Sequence, residues 1–161
     1  MAEVMERGTT VYKVEKEGPF PIRIRKVTDL RLEDGVLVLT LSQFEPDPDQ
    51  CKTLVSRKEE TVHWPVDNLF LSHHSAGEYR KELIRKKVEE LGTESKETLL
   101  KRILFLMAWD LSPKEELFWL RFEEQNRLYY ETENEKAKLE YIKQLLEAYV
   151  EKEKETHEEN G

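Results

Sequence analysis

Hydrophobic alternation dominates the first part of the chain. Residues 9–15 alternate and carry β-branched or aromatic side chains at Thr10, Val11, Tyr12 and Val14, which predicts a strand. Gly18-Pro19-Phe20-Pro21 ends it. From Ile22 the even positions read Ile22, Ile24, Lys26, Thr28, Leu30 and Leu32, while Arg23, Arg25, Asp29 and Arg31 occupy odd ones, so a second strand with one largely apolar and one charged face is expected. Asp34-Gly35 then separates two alternating runs, the strongest short-range hairpin signal, because both turn positions must accept positive φ. The returning strand, 36–41, is apolar on both faces and is expected to lie centrally, with the helical half of the chain as its cover.

Residues 45–49, Glu-Pro-Asp-Pro-Asp, read as an exposed acidic loop. Segments 51–56 and 61–66 are weaker strand candidates. The total is four or five strands, in an open meander or a small closed barrel.

The period changes at 73–77, read as a loop between a β unit (1–75) and a helical unit (76–161) that form either two lobes or one two-layer domain. Tyr79, Leu83, Ile84, Val88 and Leu91 make a helical stripe, with Gly92 expected in the left-handed position after the helix end and Thr93 or Ser95 capping the next helix. That helix, 96–109, carries Leu99, Leu100, Ile103, Leu104, Leu106, Met107, Ala108 and Trp109, an arc wide enough to predict the most buried helix. Ser112-Pro113-Lys114-Glu115 reads as the capped start of a third helix. Its apolar run thins at 131–135, where Thr132 and Glu135 are spaced as a second capping box, and a kink or break is expected there. Leu139, Ile142, Leu146 and Tyr149 then follow the 3-4-3 spacing of a helical seam, and 151–161 reads as a frayed tail. The fold class is therefore α+β, an antiparallel sheet or small barrel followed by three or four helices.

Composition narrows the function classes. Acidic residues outnumber basic ones by 34 to 26, and the net charge of −8 opposes wholesale nucleic-acid binding while leaving local basic patches open. Charged residues make up 37% of the chain, with Glu and Lys interleaved, which resembles proteins of organisms that grow hot. The single cysteine, Cys51, excludes an internal disulfide and a multi-thiolate metal site, and points to a reducing cytoplasm. The longest apolar run, 103–109, is too short to span a bilayer, and no signal pattern opens the chain.

Candidate chemistry is sparse. His63, His73 and His74 match no established ligand spacing, and a polar loop accounts for the last two. Paired acids such as Glu89-Glu90 and Glu123-Glu124 are so abundant that solvated helix faces explain them. Nucleophile motifs and glycine-rich phosphate loops are missing, so no cofactor, metal or catalytic set is expected. Two basic groups remain: Arg80, Lys81, Arg85, Lys86 and Lys87 on one helix, and the strand row Arg23, Arg25 and Arg31. A charged outer face neutralised by neighbouring Glu is the simpler reading of both.

The aromatic set Phe118, Trp119, Phe122, Tyr129 and Tyr130 spreads wider than one core stripe, so part of it either packs on the β unit or meets a partner. The expectation is an interaction protein, self-associating or serving as an accessory subunit through its C-terminal helices, with Trp119, Phe122, Tyr129, Tyr130, Leu139, Ile142, Leu146 and Tyr149 at the interface. A nucleic-acid-associated factor using the basic groups is the alternative.

Overall fold

The computed structural model describes residues 5–46, 54–109, 111 and 127–160. Five strands, β1 (Thr10–Val14), β2 (Ile22–Glu33), β3 (Val36–Pro46), β4 (Leu54–Trp64) and β5 (Leu69–Phe70), form one antiparallel sheet in the order β4-β3-β2-β1-β5. Helices α1 (His73–Gly92), α2 (Lys96–Ala108) and α3 (Arg127–Asn160) follow. The fold is α+β, a curled half-barrel with helices packed on it.

The β2–β3 turn is the Asp-Gly turn its sequence predicts, with φ of 50° at Asp34 and 79° at Gly35. The alternation along β2 does not survive intact. A bulge between Val27 and Asp29 adds one residue, and a one-residue shift moves every later side chain to the opposite face. Ile22 and Ile24 therefore lie on one face, while Val27, Leu30 and Leu32 lie on the other, opposite Leu41, Leu39 and Leu37. A second irregularity between Leu41 and Gln43 on β3 adds to the bending. The curl brings strands three places apart in the sheet into contact: Lys13 Nζ on β1 donates to both carboxylate oxygens of Glu60 on β4, at 3.0 and 2.8 Å, across the concave face.

Two apolar clusters sit on opposite faces of the sheet. Inside the curl, Val11, Val27, Leu39, Leu41 and Leu69 are buried, with Leu30, Leu37, Val62 and Trp64 packed against them. On the outer face, Val14, Phe20 and Ile22 join Ala76, Ile84 and Leu91 of α1, Leu99, Ile103 and Leu106 of α2, and Tyr141 and Leu145 of α3. α1 makes the main helix–sheet contact, on β1 and β5. The expectation that the helices cover strand 36–41 is thus corrected, because Leu39 and Leu41 are buried by the sheet's own curvature. β3 also continues through Glu45 to Pro46, further than a proline-ended loop allows.

Helix boundaries shift in informative ways. α1 starts at His73, capped by Ser72, whose Oγ accepts from the Ser75 N–H at 3.1 Å, so His73 and His74 belong to a first helical turn instead of a loop. Gly92 remains helical, and Thr93 closes the end by donating its hydroxyl to the Glu90 carbonyl at 2.7 Å. Ser95 caps α2 by accepting from the Thr98 N–H. The break expected at 131–135 is absent, as α3 runs unbroken from Arg127 to Asn160, and the stretch expected to fray is its last turns. No proline or glycine interrupts that span, so capping side chains alone do not stop a helix whose backbone can continue. The helix start expected at 112–115 lies outside the described residues.

Candidate functional site

A polar node that ties three elements together sits where β2, α1 and α3 meet. Asn134 accepts from the Ile22 N–H at 2.9 Å and donates to the Ile22 carbonyl at 3.1 Å, so its amide takes the place of a neighbouring strand at the start of β2. The same Oδ1 accepts from Arg80 Nη1 at 2.7 Å, and Arg80 is only 4% exposed. A buried guanidinium is tolerable where it is hydrogen-bonded, as Arg80 is to Asn134. Arg80 is therefore a buried structural group, not part of an exposed basic patch. Nothing in the local pattern marked Asn134, which lies in a charged run read as a helix break.

Beside this node a cleft of about 280 Å³ opens between α1 and α3, lined by His73, Arg80, Lys81, Glu133, Lys136 and Glu140 among others. His73 stacks edge-on against Tyr12, with ring centroids 5.6 Å apart. Burial, helped by the Arg80 charge, pushes its pKa down to about 4. An imidazole so poorly basic is a weak proton acceptor at neutral pH. Charges on the rim pair within their own helices, Lys81 with Glu78 at 3.3 Å and Lys136 with Glu133 at 3.5 Å. Among the described residues no three His, Cys, Asp or Glu side chains converge as a metal set.

The basic groups do not assemble. Because of the bulge, Arg23 and Arg25 share the inner face with Lys13 and Val11, whereas Arg31 stands opposite Val38 on the outer face and pairs with Glu33 at 2.5 Å. On α1, Arg85 pairs with Glu82 and, at 2.6 Å, with Glu89. These contacts raise the Arg85 pKa and lower that of Glu82. Lys87 lies 3.4 Å from Glu90. Lys86 has no ion pair among the described residues.

Exposed apolar surface collects on the helices. On α2, Leu99, Ile103 and Leu106 are the buried residues, and the rest of its wide apolar arc is turned outward. Leu100, Leu104 and Met107, spaced i, i+4, i+7, are 43, 56 and 61% exposed. On α3 the expected seam divides. Ile142 and Tyr149 pack against the molecule's own core, while Leu139, Leu146 and Val150 are 56, 46 and 49% exposed on the face turned away from Tyr141 and Leu145. Tyr129 and Tyr130 lie in the first turn of α3 without a described side-chain environment, and Trp119 and Phe122 lie outside the described residues. The α2 stripe was hidden in the sequence because its residues are as apolar as buried ones.

No described helix is long and apolar enough to cross a membrane. The fold and its surfaces define a half-barrel with a helical flank bearing apolar stripes. No family model matches the chain, and neither does any curated protein or solved structure.

Proposed function

We propose that this is an interaction protein of the reducing cytoplasm whose contacts are made by the outer faces of its helices, with a second copy as the first partner to test. The observation that carries the reading is the α3 stripe of Leu139, Leu146 and Val150, about half exposed and roughly opposite the residues that bury α3. Large aliphatic groups at helical spacing on an outer face gain about 25 cal/mol per Å² when covered, and nothing described in this chain covers them. An interface built on a helix face would use such i, i+7, i+11 anchors. The His73 cleft supports catalysis poorly, since its imidazole is weakly basic and its rim charges are paired.

Light scattering of the full chain against concentration tests this. A multimer that dissociates in the double variant Leu139→Lys, Leu146→Lys, with helix content unchanged, supports the reading. A wild-type monomer at all concentrations rejects self-association through this face.

A further inference from the structure

The structure holds a second feature, independent of the apolar stripes. A groove of about 490 Å³ runs between the β1–β2 loop, α1 and α2, within the size range of small-ligand sites. Trp109 forms its end. The indole lies directly on Gly18, where an added Cβ would sit 2.8 Å from three ring atoms, so the close approach depends on glycine at that position. From the other side, Lys138 on α3, 9% exposed, donates to the Trp109 carbonyl at 3.0 Å. The Trp109 ring is thus seated on Gly18 and its backbone is held by Lys138 before any ligand arrives.

Phe105 meets Trp109 edge-on at 5.4 Å and is 44% exposed, offering an aromatic wall. Cations surround that wall. Arg102 stands 5.2 Å from the Phe105 ring centroid, and Lys86 and Lys87 line the groove from α1. Glu17 and Glu90 also line it, placing hydrogen-bond acceptors beside the cations.

We propose that this groove binds a nucleotide, free or within a single strand. Its planar base would stack on Phe105 or Trp109, a contact of about 1–3 kcal/mol per base that tolerates any base. Its phosphate would sit among Arg102, Lys86 and Lys87, and the carboxylates would accept from sugar hydroxyls or ring amino groups. A purely apolar ligand would give Lys86 and Arg102 no anionic partner, and inorganic phosphate would leave the aromatic wall unused. The net charge of −8 keeps such binding local to the groove, with a shallow salt dependence.

Titration of the full chain by calorimetry with AMP, adenosine, inorganic phosphate and a short adenine single strand tests this. AMP or the strand should bind more tightly than adenosine or phosphate. Lys86→Glu and Phe105→Ala, both at exposed positions, should each weaken binding by about tenfold with the melting temperature unchanged. Tighter binding of the strand than of AMP identifies a strand as the occupant, and the reverse identifies a free nucleotide. Absence of heat with both up to millimolar concentration, or affinity unchanged in both variants, overturns the proposal.

Discussion

Asn134 shows how much one amide can decide. It satisfies both backbone groups of Ile22 and accepts from a buried guanidinium, so truncation leaves several desolvated groups in want of partners. Asn134→Ala should therefore destabilise by about 2–4 kcal/mol, and Asn134→Asp, which keeps the acceptors and adds a charge beside Arg80, by less; urea unfolding reads the difference. His73 gives a pH signature. Its folded pKa, near 4, lies below the unfolded value near 6.5, so the unfolded chain takes up a proton first as the pH falls. Stability is fully present above the unfolded value and is lost between pH ~6.5 and ~4, by on the order of 1–2 kcal/mol after solvent screening. His73→Gln should flatten that slope in denaturation series at pH 7 and 5. Neither role was legible in the sequence, because each depends on partners brought together from distant segments.

At the scale of elements, two signals confined to a few adjacent residues read correctly. Asp34-Gly35 makes its turn and Ser95 its cap, both settled by backbone conformations that neighbours cannot override. Signals that needed register or context misled. Two-residue alternation cannot reveal a bulge, so the Arg23, Arg25 and Arg31 row was split between faces. A capping spacing cannot show whether the helix before it ends. The continuity of α3 is open to a direct test. Glu135 is exposed, so Glu135→Pro would be mild if a helix began there but should lower stability by about 3 kcal/mol within an unbroken helix. Urea unfolding and the loss of far-ultraviolet helical signal report the outcome.

The molecule as a whole joins its layers through the outer face of the sheet. Val14, Phe20 and Ile22 are buried by helical residues, with Phe20 stacked on Tyr141 at 5.6 Å and interplanar angle 4°. The inner core is separated from this one only by the sheet. Fluorescence of a variant that keeps Trp64 of the inner cluster as its single tryptophan (Trp109→Phe, Trp119→Phe) and helical circular dichroism should therefore follow one common transition in urea; midpoints that separate would show the layers unfolding independently. The α+β class and the strand-then-helix order were legible because periodicity changes once, near 73. Which surface covers which was not, since apolarity alone does not say what buries a residue. Leu39 and Leu100 look alike in sequence, yet one is fully buried and the other 43% exposed.

The bond between Ile22 and Asn134 spans 112 positions of chain. A ribosome completes β2 long before it releases the helix that satisfies it. During that interval Val14, Phe20 and Ile22 present an apolar face to the cell, and the Ile22 end of β2 lacks the amide that stands in for a neighbouring strand. The half-barrel is thus an unfinished surface for most of its own synthesis. A stalled or clipped chain lacking α3 would leave Phe20 without Tyr141 and Ile22 without Asn134, and that uncovered patch would hand its lifetime in the cell to chaperones and proteases.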